Sequence, residues 1–127
     1  DAMHMNQCNP FSIAGFEAGY RQGGPWLDEL MIYLQGNRDR GMDYIRQHLP
    51  DIRVTEPEGT YLLWLDCRGL GMSDAELKRF FVQEAGIGMN PGITFGEPGS
   101  GFMRMNIGCP RRVLDTALEQ IRQALNK

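Results

Sequence analysis

Residues 86–110 read GIGMNPGITFGEPGSGFMRMNIGCP. Seven of the chain's 16 glycines fall in this stretch: Gly86, Gly88, Gly92, Gly96, Gly99, Gly101 and Gly108. Glycine serves where backbone must turn with φ > 0 or come close to another group, so the first part reads as a loop. Residues 102–107 then alternate. A β-strand sends successive side chains to opposite faces. Met103, Met105 and Ile107 therefore face one way, and Phe102, Arg104 and Asn106 the other. An arginine in the middle of an otherwise apolar strand, just after a glycine-rich loop, is the sharpest feature of the chain.

Outward from this stretch the elements follow from period and punctuation. Downstream, Cys109 and Pro110 open a final helix with an apolar stripe of Val113, Leu114, Ala117, Leu118, Ile121 and Leu125. Upstream, Ile87 to Asn90 reads as a short strand. Ser73 and Glu76 form a capping box for a helix running to about Ala85, with Leu77, Phe80, Phe81 and Ala85 on its buried face. TYLLWLD, residues 60–66, is apolar on both faces until its end and predicts a central strand covered on both sides. Residues 52–55 alternate as a further short strand. From Leu27 to Leu49 an apolar stripe with a gap predicts a long helix of about 25 residues, some 37 Å at 1.5 Å per residue. Pro25 suits its first turn and Pro50 ends it. Gly36 and Gly41 are weak points where it would bend or divide in two. Residues 11–20 read as a short helix with Ser12 as its cap and Ile13, Phe16 and Tyr20 on one face. The expected architecture is α+β: a small, mainly antiparallel sheet with helices packed on one side, plus a long N-terminal helix.

The totals bound the function. The chain has 127 residues, one domain's worth, and 42% apolar content is enough to bury a core. A net charge of −3 argues against a nucleic-acid partner. No apolar run approaches the roughly 20 residues a membrane helix needs, and no signal peptide is visible. Cys8, Cys67 and Cys109 are odd in number and widely spaced, and His4 and His48 lie far apart, so neither a disulfide framework nor a metal site is expected. The plain reading is reduced thiols and a cytoplasmic location. The chain opens DAMHM without an initiator methionine. Residues 1–10 read as an irregular or appended lead to residues 11–127, or the chain as a piece of something longer.

Motifs for nucleophilic, phosphate-binding or zinc chemistry are absent, and no catalytic residue is assigned. Arg104, judged by spacing alone, is a solvated or salt-bridged side chain. Its functional reading is carboxylate recognition, because a guanidinium presents a planar fork that lysine cannot reproduce. Asn90, Pro91 and Gly92 read as a tight turn. Phe95 is loop packing or a pocket wall. Trp26 and Trp64 read as core or interface aromatics, and Cys109 has no histidine neighbour to make it a nucleophile.

Three segments together carry a family resemblance: WLDELMIYLQGNRD (26–39), PEGTYLLWLDCRGLG (57–71) and MNPGITFGEPGSGFMRMNIGCPR (89–111). They resemble the C-terminal part of class I/II pyridoxal-phosphate enzymes, nearest the MalY/PatB-like cystathionine β-lyase, or C–S lyase, subgroup. The resemblance implies a homodimeric fold-type I enzyme in which this segment is the small domain. A large domain, missing here, would hold pyridoxal 5'-phosphate on a lysine. Arg104, in the F-x-R-x-N position, would hold the substrate's α-carboxylate. The loop of Asn90, Pro91, Gly92, Phe95 and Gly96 would lie near the active-site mouth. The sequence departs from that family's pattern: its only lysines, Lys78 and Lys127, match no Schiff-base motif, and the cofactor's phosphate loop and the aspartate partner of its pyridinium nitrogen are also missing. The expectation is a domain that binds no cofactor and is inactive alone, from a C–S lyase or an aminotransferase. A dimerisation or carboxylate-binding module is the other reading.

Overall fold

The computed structural model describes residues 9–126. The elements in order are α1 (Pro10–Gln22), α2 (Gly24–His48), β1 (Arg53–Thr55), β2 (Leu62–Asp66), α3 (Asp74–Arg79), β3 (Asn90–Pro91), β4 (Phe102–Asn106) and α4 (Arg111–Leu125). The chain forms two compact units, Asp1–Tyr33 and Leu34–Lys127, with the division inside α2.

In the first unit α1 is capped by Asn9, not Ser12. The Asn9 Oδ1 accepts from the Ser12 N–H at 2.8 Å, because Asn9 holds the extended backbone a cap requires while Ser12 is already in the helix. No residue of α1 is buried. Phe11, Phe16, Tyr20, Trp26 and Ile32 are all exposed. Trp26 is thus not a core aromatic.

α2 is one continuous helix of 25 residues. Gly36 and Gly41 do not break it. A Cβ on Gly41 would lie 3.3 Å from Leu63 Cδ1, and one on Gly36 would lie 2.8 Å from the Arg111 guanidinium. These glycines let neighbours approach closely. The gap in the apolar stripe is occupied by Asn37, which is wholly buried.

The sheet of the second unit has the order β1-β2-β4-β3, with every neighbouring pair antiparallel. Leu63 and Leu65 of β2, and Met103 and Met105 of β4, are buried on one face. They share a core with Met42 and Ile45 of α2, Leu77 of α3, and Leu114, Leu118 and Ile121 of α4. Each such side chain withdrawn from water contributes about 1.5–3 kcal/mol. The helices therefore cover one face, as the alternation of 102–107 requires. The other face differs from expectation at β2: Leu62, Trp64 and Asp66 are only half-buried. β2 is central in the sheet but is covered on one side among the described residues. Trp64 is accordingly not a core tryptophan.

Three boundaries also differ. The expected strand at 87–90 pairs only through Asn90 and Pro91, opposite Arg104 and Met103, so Asn90-Pro91-Gly92 is a strand end and not merely a turn. The capping box of Ser73 and Glu76 is present, but the helix it starts becomes a π-turn at Phe80–Glu84. This widening accompanies the burial of adjacent Phe80 and Phe81, whose rings meet edge to face at 5.2 Å. On α4, Val113 is half-exposed while Ala124 is buried, so the stripe begins at Leu114.

Candidate carboxylate site on the open sheet face

The open face is built by strand pleat. Arg104 of β4 is flanked in register by Trp64 of β2 and Asn90 of β3, and residues directly opposed across strands project to the same face. Trp64 stacks on Phe102 with centroids 5.6 Å apart and planes 17° apart. The loop after β3 brings Phe95 edge-on to Trp64 at 5.9 Å. The Arg104 guanidinium carbon then lies 4.4 Å from the centre of the Phe95 ring. Its Nη2 donates to Asn90 Oδ1 at 3.2 Å. Its Nε is buried with no acceptor among the described residues.

A second arginine supplies the contrast. Arg68 Nε and Nη2 donate to the two carboxylate oxygens of Asp66 at 2.8 and 2.7 Å, and its guanidinium lies 4.9 Å from the centre of the Phe102 ring. The Arg68 hydrogen bonds hold the Asp66 carboxyl below its ordinary range. Arg68 already has its carboxylate. Arg104 faces no acid in any described ion pair, and most of its five donors are uncommitted. Of the two, Arg104 is the one able to receive a carboxylate from outside.

Local backbone contacts keep the 92–99 loop compact. A Cβ on Gly92 would lie 2.3 Å from the Gly99 carbonyl oxygen, and one on Gly99 2.1 Å from that of Gly92. Only glycine allows this approach. Gly96 turns at φ 122°. Thr94 Oγ1 donates to the Pro91 carbonyl at 2.6 Å. From α3, Asp74 accepts from Ser100 Oγ at 2.7 Å and from the Gly101 N–H at 2.8 Å, and these bonds lower its pKa. Asp74 was not among the expected site residues. No sequence signal marked it, because it lies in the first turn of a capped helix and its partner is 26 residues away.

The structure thus brings Arg104, Asn90 and Phe95 into contact. Pro91 stands in the strand beside them, and Gly92 and Gly96 shape the loop. Cys109 is half-buried with its thiol pKa raised by burial, and Cys67 is buried with its thiol pushed up to about 12. Burial thus disfavours the reactive thiolate at both. Among the described residues no cluster of three or more His, Cys, Asp or Glu could hold a metal, and no helix is long and apolar enough to cross a membrane.

Residues 11–121 match the family Aminotransferase class I and II. The cystathionine β-lyase PatB of Bacillus subtilis (strain 168) is 38% identical over 118 residues, covering 93% of this chain and 30% of the relative. Cystalysin of Treponema denticola, whose crystal structure contains pyridoxal 5'-phosphate, superposes with a TM-score of 0.90 at 31% identity over 93% of this chain and 30% of its own. The pyridoxal-phosphate-bound C–S lyase of Staphylococcus hominis, complexed with L-cycloserine, gives 0.87 at 31% identity over 97% of this chain and 30% of its own.

This chain belongs to the class I and II aminotransferase family. It spans about 30% of the length of the relatives it matches.

The residues present do not fit pyridoxal phosphate itself. The family's cofactor requires a lysine amine, and the sole lysine described, Lys78, is an exposed residue in the last turn of α3.

Proposed function

We propose that this chain is the substrate-carboxylate-binding small domain of a pyridoxal-phosphate-dependent C–S lyase acting on sulfur amino acids, with Arg104 as the clamp. The observation that carries the reading is the guanidinium of Arg104: seated on a ring, tied at one nitrogen, and in no ion pair among the described residues. Two parallel charge-assisted bonds from such a fork fix a carboxylate in orientation as well as in place. That orientation sets which bond at the substrate's Cα meets the reacting group. The cofactor and the lysine that holds it belong to the part of the protein outside this chain. The chain alone is inactive.

The test uses the full-length protein with L-cystathionine. Arg104→Lys keeps the charge and loses the fork, and lowers kcat/KM about a hundredfold, chiefly through KM. An unchanged KM sinks the clamp. The family's name favours a second reading, amino-group transfer. Pyruvate and thiol release from cystathionine without a keto acid marks a lyase, whereas dependence on 2-oxoglutarate marks an aminotransferase. For the 127-residue chain, pyridoxal phosphate produces no stoichiometric visible absorbance band and no turnover; a band with turnover would show that the chain is complete in itself.

A further inference from the structure

Phe95 is 54% exposed. Its ring adds little to the core, yet it is held in a loop constrained at several points. Thr94 is tied to Pro91, Gly92 and Gly99 meet backbone to backbone, and Ser100 and Gly101 are anchored on Asp74. The Phe95 ring also packs, at an interplanar angle of 68°, against Trp64, which is itself stacked on Phe102. Arg104 lies over it.

We propose that Phe95 is a positioning residue: its ring is the platform that aims the Arg104 guanidinium, with Asn90 tethering one nitrogen. This rests on the carboxylate-clamp reading above. The choice of a ring has a chemical reason. An acid beside Arg104 would also hold it in place, but would occupy its donors and cancel its charge, as Asp66 does for Arg68. The negative face of an aromatic ring attracts a cation without accepting its in-plane N–H bonds. Asn90 is neutral and takes a single hydrogen. Together they restrain a long, flexible side chain and leave its charge and most of its donors for the incoming carboxylate. A ligand meeting a preoriented fork loses less freedom on binding.

The test is a double-mutant cycle in the full-length protein. Dissociation constants for L-alanine and for ethylamine, which lacks the carboxylate, are measured by calorimetric titration for wild type, Phe95→Leu, Phe95→Tyr, Arg104→Lys and the Phe95→Leu/Arg104→Lys pair. Phe95→Leu weakens L-alanine about fivefold, leaves ethylamine unchanged, and adds nothing once Arg104 is lysine. Phe95→Tyr, which keeps the ring, binds as wild type does. An equal loss for ethylamine, or a loss that persists in the Arg104→Lys background, overturns the proposal, because Phe95 would then touch the ligand or merely hold the loop. If Arg104→Lys weakens L-alanine and Phe95→Leu does not, the platform fails and the clamp stands. If wild type binds L-alanine no better than ethylamine, both fail. In the 127-residue chain, the guanidinium resonances of Arg104 carry a ring-current shift that Phe95→Leu abolishes; unshifted resonances in wild type also overturn the proposal.

Discussion

The Asn37 side-chain amide lies 2.9 Å from the Ile107 carbonyl, 70 residues further along the chain, and is completely buried. The same nitrogen donates to the Cys109 carbonyl at 2.9 Å, and Asn37 Oδ1 accepts from Arg111 Nε at 3.2 Å. One side chain on α2 thus ties down the segment that joins β4 to α4. Asn37→Leu leaves two carbonyls without their donor. A buried polar group so orphaned costs about 1–3 kcal/mol, so the variant loses about 3 kcal/mol in urea unfolding. A loss under about 0.5 kcal/mol would show that water replaces the amide.

Loop compaction by Gly92 and Gly99 is testable by adding one methyl group. Gly99→Ala places a Cβ within 2.1 Å of the Gly92 carbonyl oxygen, and the backbone must open to admit it. The expected cost is about 1–3 kcal/mol. The loss extends to Arg104, because Phe95 stands between the two glycines. Gly88→Ala has nothing within 4 Å of its Cβ and serves as the control. Equal stability of the two variants in thermal unfolding refutes the close approach.

Acid sensitivity follows from Glu119. Its carboxylate accepts from Arg122 Nη2 at 2.6 Å, from the Tyr44 hydroxyl at 2.6 Å and from Gln123 Nε2 at 2.9 Å. Those bonds, the Arg122 pair foremost, lower its pKa from 4.5 to about 2. A depressed carboxylate contributes stability that is fully present above its unfolded pKa and is lost as pH falls through the folded one. The contribution of Glu119 therefore disappears between about pH 4.5 and pH 2. Acid titrations of wild type and Glu119→Gln converge across that window and separate above it. Parallel curves throughout would rule Glu119 out as a source of the acid response.

The first unit is expected to self-associate. Phe11 is 88% exposed, Tyr20 82%, Ile32 73%, Phe16 69% and Trp26 67%, and large apolar side chains gathered in one short segment favour contact with a second copy. Light scattering should report a mass that rises with concentration, and Phe16→Glu with Ile32→Glu should return it to that of a single chain. A monodisperse 14.4 kDa species in the unsubstituted chain contradicts this.

Local chemistry explains which features could be read from the residues. The period of two in 102–107, the Ser73 and Glu76 box and the punctuation by Pro25 and Pro50 are all decided within a few positions, and the corresponding elements are where those signals put them. Arg104 and Phe95 were both visible as candidates, but their contact was not, because it depends on how the ten-residue loop between β3 and β4 closes. Asn37 was hidden for a different reason. A gap in an apolar stripe looks the same whether it meets water or, as at Asn37, three hydrogen-bond partners from a distant segment. Trp64 misled because an apolar residue on the second face of a strand implies a cover, and in the described residues none is present. The cap at Asn9 was missed because Ser12 has the same chemistry three positions later.

β4 is an inner strand, hydrogen-bonded to β2 on one side and to β3 on the other. A single-residue insertion or deletion within 102–106 would turn Arg104 into the core and Met105 or Met103 outward. The same length change within 93–98 leaves the strand register intact but moves Phe95, an exposed loop residue, relative to the Arg104 guanidinium. Strand register thus keeps Arg104 opposite Trp64 and Asn90 whatever the loop does, whereas its contact with the Phe95 ring depends on loop length. Directed evolution of this domain should reject length changes in the strand and accept them in the loop only where the Phe95–Arg104 contact is given up.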